Sequence, residues 1–143
     1  LKTAINKEAR QAGAKIILPY HAEKGIYRLG KVAFAHGYSH GQNAVTLQGS
    51  HYADFGGGFI CGHIHRLEQV NLKRHGGGAA YSAGCLCMKD AMDYASHRLA
   101  TAQWGNGFAY GYVNGDEWKC WLAHRVGDNW IWATDITIWR PTK

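Results

Sequence analysis

Lys31-Val32-Ala33-Phe34-Ala35-His36-Gly37 ends an apolar run on a histidine, and Phe59-Ile60-Cys61-Gly62-His63-Ile64-His65-Arg66 ends the next apolar run on a Gly-His-x-His pair. A histidine at a strand end can pack in a core, move a proton or bind a metal. Two imidazoles at i and i+2 project from one short loop, close enough to reach two neighbouring ions. Gly62 reads as the residue that lets the backbone turn sharply after a buried strand. If the two strands are neighbours in one sheet, His36 meets His63 and His65 at a single edge, where strand ends build sites.

Outward from these strands, residues 1–12 place Leu1, Ala4, Ile5, Ala9 and Ala12 on one helical face, with Gly13 as the stop. Lys15 to Leu18 reads as a strand ending at Pro19. Residues 25–30 and 31–35 read as two strands meeting at a turn around Gly30. Gln42 to Phe55 reads as a helix carrying Ala44, Val45, Gln48, Tyr52 and Phe55 on one face and weakened by Gly49. Gly56-Gly57-Gly58 breaks it before the strand Phe59 to Cys61. Leu67 to Lys73 and Ala79 to Ser82 are further strands, and Met88 to Ala100 is a short helix or a loop. From Phe108 the pattern turns to β: Phe108 to Val113, a hairpin turn at Asn114-Gly115-Asp116, Trp118 to Val126, a second turn at Gly127-Asp128-Asn129, then Trp130 to Trp139. Alternation at Trp130 and Trp132, and at Ile136 and Ile138, predicts half-buried antiparallel strands. The expected class is α+β, one unit over 1–143, with a core of about 15–87 and a β-rich tail of about 104–140.

Composition narrows the function classes. The 143 residues suffice for one domain with its own core, and 46% hydrophobic with 18% charged residues excludes a disordered chain. A net charge of +6 favours anionic partners such as phosphate esters or nucleic acid. No apolar run approaches a membrane span and no signal peptide is present, so no membrane partner is expected. Four cysteines (Cys61, Cys85, Cys87, Cys120) include no Cys-x-x-Cys pair, which removes the usual zinc-finger spacing. Free thiols point to a reducing, cytoplasmic compartment.

The pattern Val32-Ala-Phe-Ala-His36-Gly37, then a helix, then Phe59-Ile-Cys-Gly62-His63-Ile64-His65-Arg66, resembles the calcineurin-like metallophosphoesterases, most of all their phage and bacterial members. Tyr81-Ser-Ala-Gly84-Cys85 is similar to the family segment in which the following strand ends near a glycine. The resemblance covers Lys15 to about Cys85. It implies part of the family's β-sandwich with flanking helices, two divalent ions (Mn, Fe, Zn or Ni), His36 and His63 as ligands of the second ion and His65 as ligand of the first. It also implies a phosphate mono- or diester substrate, with nucleic acid or a nucleotide favoured by the charge. The family's earlier motifs, Asp-x-His, Gly-Asp-x-x-Asp and Gly-Asn-His-Asp/Glu, have no counterpart here. Gly115-Asp116 is followed by Lys119, Gly127-Asp128 by Ile131, and Gly105-Asn106 by Gly107. No catalytic acid can therefore be assigned, and the resemblance implies the C-terminal half of the enzyme, inactive alone.

Several residues carry competing readings. Arg66 either holds a substrate phosphate or is a solvated surface arginine. His40 lies near the same strand end as His36 and is a lesser candidate for the ligand or substrate role. Cys61 with His63 and His65 suggests a mononuclear zinc site, against a packed core thiol. Asp54 and Asp90 have no partner spacing, and His21, His51, His75, His97 and His124 read as structural. The alternative to an enzyme is an aromatic-rich nucleic-acid-binding or phage structural module. In it, the Trp and Tyr residues between Trp104 and Trp139 form a stacking surface.

Overall fold

The computed structural model describes residues 2–88, 92 and 102–132. Within them the chain forms two helices and two sheets, an α+β arrangement: α1 (Lys2–Gln11), β1 (Tyr27–Leu29), β2 (Val32–Ala35), α2 (Ala44–Tyr52), β3 (Gly58–Cys61), β4 (Leu67–Asn71), β5 (Ala79–Ala83), β6 (Gly107–Asn114), β7 (Glu117–Val126) and β8 (Asn129–Ile131). Among the described residues no helix is long and apolar enough to cross a membrane.

The first sheet has the order β1-β2-β3-β5-β4. Its centre is parallel: Ala35 pairs with Cys61, and Cys61 with Ser82, so β2, β3 and β5 all end at one edge. β1 and β4 flank this centre antiparallel. Parallel strands are buried on both faces, and β5 is the clearest case, buried from Ala79 to Ser82. Side chains alternate across the sheet. Ala33, Phe59, Cys61 and Ala80 form one core cluster with Val45 and Leu72, on the α2 face. Ala79 and Tyr81 point the other way, into a second cluster with Cys120, Ile60 and Trp118. Burial pushes the Tyr81 hydroxyl up to about 12 and the Cys120 thiol up to about 11.

The second sheet, β6-β7-β8, is a meander whose register follows the two predicted turns: Asn114 pairs with Glu117 and Val126 with Asn129. Trp118 ties it to the first sheet by donating from Nε1 to the Gly56 carbonyl at 3.0 Å. Lys31 and Asp116 link the two hairpin turns at 3.3 Å.

Several expectations are corrected. Residues 15–18 form no strand: Ile16 and Leu18 are exposed, and the sheet edges are taken by β1 and β4. α1 forms as expected, yet Ile5 on its apolar face is exposed, so helical period alone did not imply burial. α2 is shorter than 42–55. Phe55 lies beyond it and is 71% exposed. Gly49 has a use beyond its cost to the helix: it lets α2 approach β5, because a Cβ there would stand 2.4 Å from the Ala80 Cβ and 2.9 Å from Leu72. β8 pairs antiparallel with β7 as expected, but it is only three residues long, and Trp130 and Trp132 are 37% and 47% exposed. Asp90, His97, Ile136, Ile138 and most of 88–100 lie outside the described residues.

Candidate metal centre

The common edge of β2, β3 and β5 collects the histidines. The His36 carbonyl accepts from the Gly62 and His63 amides at 3.0 and 2.8 Å, so the two strand-end turns are fastened to each other. Gly62 is not the sharp corner: its φ is not positive, and a Cβ there would meet nothing within 4 Å. The corners are Gly37 and His65. Gly37 has φ +108, and a Cβ would fall 2.7 Å from the His63 Cβ, so only glycine lets the rings approach. His65 has φ 59 without being glycine, a left-handed conformation costing about 1–2 kcal/mol. α2 braces the first corner, since the buried Gln48 accepts from the Tyr38 amide at 2.6 Å and donates to the Ala44 carbonyl at 3.2 Å.

Three rings meet there. His63 Nδ1 lies 2.9 Å from His36 Nε2, and His63 Nε2 lies 3.2 Å from both ring nitrogens of His40. Burial, then His40, His36 and His65 in turn, lowers the His63 pKa from its ordinary value. A neutral imidazole owns one N–H, so His63 can donate to only one neighbour and must present a lone pair to the other. Tyr20 stands edge-on to His36 at 5.3 Å, beside an open cleft of about 600 Å³ that reaches His36, Tyr38 and Gly62.

His65 has a second set of neighbours. Its ring is 4.3 Å from Trp104, edge-on, and one of its ring nitrogens lies within 4.8 Å of the sulfurs of Cys85 and Cys87. Its Nδ1 is buried without a hydrogen-bond partner, and burial, then His36, lowers its pKa. The structure thus brings His36, His63 and His40 together and gives His65, which stays near His36, further neighbours in Trp104, Cys85 and Cys87. Among the described residues, His65, Cys85 and Cys87 are the group of three His, Cys, Asp or Glu donors that lie this close to one another.

The other candidates resolve as follows. Arg66 forms an ion pair from Nε to Glu68 and donates from Nη2 to the Gln42 carbonyl at 2.7 Å, so it serves the loop before α2. Cys61 is a core thiol, 2% exposed and pushed up to about 12 by burial, which suits packing and not ligation. Asp54 pairs with Arg28 at 2.7 Å. His21 caps a turn by accepting from the Glu23 and Lys24 amides. Cys85 and Cys87 were missed by testing only Cys-x-x-Cys spacing. The available signal was their position just after β5, at the edge that also ends β2 and β3.

No family model matches this chain, and no curated protein or solved structure matches it.

Proposed function

We propose that the chain carries the histidine-bearing part of a binuclear metal-dependent phosphoesterase, of the calcineurin-like kind that its motifs resemble. The observation behind this reading is the contact of His36 with His63 across two parallel strands ending in register. Their donor chemistry fits a divalent ion: two imidazole nitrogens 2.9 Å apart, one on a ring whose pKa is lowered towards the neutral, lone-pair-bearing form. His36 and His63 would hold one ion, and His65 lines the same edge, as the resemblance requires for the other. Bound ions would lower the pKa of a water and offset the charge developing at phosphorus.

The chain's own contribution is orientation. Gly37 and Gln48 fix the two rings, and the cleft beside Tyr20 leaves room for an ester group. His40, exposed next to His63, would meet a phosphate oxygen in this reading. The net charge of +6 agrees with an anionic substrate, nucleic acid or nucleotide. Because the carboxylate and asparagine motifs are absent from this sequence, the chain alone should bind Mn²⁺ or Zn²⁺ and hydrolyse little. Isothermal titration of Mn²⁺, a metal that a thiolate-rich site does not favour, tests the reading. Binding that disappears in both His36→Ala and His63→Ala supports it, and binding indifferent to both sinks it. Rapid hydrolysis of bis(p-nitrophenyl) phosphate, abolished by His63→Ala, would overturn the claim that the chain is inactive alone.

A binding module is the second reading, favoured by the aromatic group on the second sheet. Phe108 lies 5.4 Å from Trp130 and 6.4 Å from Trp132, and all three are at least 36% exposed. Stacked bases would suit such a surface. Salt-dependent binding of single-stranded DNA that survives His36→Ala and His63→Ala, and falls with Trp130→Ala, would favour it.

A further inference from the structure

We infer that His65, Cys85 and Cys87 form a separate, thiolate-rich site that takes a soft divalent ion of the zinc class. The inference rests on donor geometry and does not use the phosphoesterase reading, which it alters by giving His65 a partner set of its own. The three donors lie within 4.8 Å of one another. The two sulfurs are 3.1 Å apart, beyond the length of a disulfide. Thiolate and imidazole together select zinc over magnesium, calcium or manganese.

The surroundings are built, not incidental. Gly105 donates to the His65 carbonyl at 2.9 Å, Cys85 donates to the Gly105 carbonyl at 3.0 Å, and Gly107 donates to the Cys85 carbonyl at 3.0 Å. The Asn106 side chain donates to the Cys85 and Cys87 carbonyls at 3.2 and 2.7 Å. Three chain segments, after β3, after β5 and before β6, are thereby locked around the donors, with the Trp104 ring edge-on to His65. His65 is held in a left-handed conformation, and its Nδ1 is buried with no protein partner. Strain and an unsatisfied polar atom gather at ligand sites because a ligand compensates both.

Two sulfurs sharing a tetrahedral zinc at about 2.3 Å each would stand about 3.8 Å apart, roughly 0.7 Å more than the 3.1 Å between these thiols. Binding would convert both thiols to thiolates and release their two protons to solvent. Three protein ligands leave a fourth position for water or an incoming group.

Cobalt(II) titration of the reduced full chain is the test, because thiolate-to-cobalt charge transfer absorbs in the near ultraviolet and histidine-only sites do not. The band should appear in the wild type and in His36→Ala/His63→Ala, and vanish in Cys85→Ser/Cys87→Ser. No band in the wild type, or a band that survives the double serine variant, overturns the site. A band lost with His36→Ala/His63→Ala overturns its independence from the histidine cluster. Should the serine variant fold poorly, alkylation of the wild type with and without Zn²⁺ decides. Zn²⁺ should slow modification at Cys85 and Cys87, because the thiolate lone pair that attacks the alkylating agent is engaged by the metal. Equal rates would overturn the proposal.

Discussion

His63 and His65 stand two residues apart and belong to different neighbourhoods. His63 lies between His36 and His40, rings from the turn after β2, and its contacts are nitrogen to nitrogen across partly open surface. His65 turns through a left-handed backbone into a pocket of sulfur, indole and main-chain amides contributed by segments far along the chain. The first neighbourhood is a product of strand register, because the pairing of Ala35 with Cys61 leaves the next residues of both strands side by side. The second is a product of chain crossing, since residues 104–107 must fold back over the end of β5 to complete it. Register is local and repeats along a sheet. A crossing depends on everything between.

The support common to both neighbourhoods is β3, and breaking it should have the largest effect. Phe59, fully buried, stacks on Tyr52 at 5.5 Å. Phe59→Ala should cost about 3–5 kcal/mol, read as a lower midpoint in urea unfolding. It should also weaken metal binding at both groups. Loss at only one group would mean that β3 does not anchor the other.

His63→Ala separates the two groups. It should reduce Zn²⁺ or Mn²⁺ affinity at the histidine cluster by about a hundredfold or more, and leave the thiolate charge-transfer band in place. Loss of both signals in a folded variant would merge the neighbourhoods into one centre.

Titration sharpens the comparison further. Burial holds the pKa of both His63 and His65 below its ordinary value. Below about pH 6.5 the unfolded chain therefore binds more protons than the folded one, so stability is complete above that pH and falls as the pH drops through it. Thermal midpoints of the metal-free chain should decline from about pH 7 to pH 5. The decline should be smaller in His63→Gln. An unchanged slope would show that His63 does not carry it.

The smallest effect belongs to the residue that follows the second sheet's outer strand. Trp132, 47% exposed, can be replaced by alanine for less than about 1 kcal/mol, measured by the same urea midpoint. A loss above about 3 kcal/mol, the scale of a buried aromatic, would mean that its exposed face is covered in the protein as it exists in solution.

Much of the fold was legible. Apolar runs bounded by glycine marked β2, β3 and β5, and Asn114-Gly115 marked the hairpin between β6 and β7. Lys15 to Leu18 misled because an apolar run becomes a strand only if a sheet edge is free to pair with it, and pairing is not written in the run itself. Gly49 misled for a related reason. Its cost to the helix is intrinsic, whereas its use, letting α2 approach Ala80, exists only after β5 is in place.

In the candidate site the sequence by itself determined that histidines follow two successive apolar strands. Parallel pairing then carries His36 to His63 because strand period and hydrogen-bond register are short-range properties. The tertiary structure alone decided that His40 joins them and that His65, still near His36, also meets Cys85 and Cys87. Those contacts depend on the direction in which Gly37 and His65 turn the chain and on a segment some forty residues away folding back across β5. Neither the direction of a turn nor the closure of so long a loop follows from residue type and spacing, because both are chosen by the packing that surrounds them.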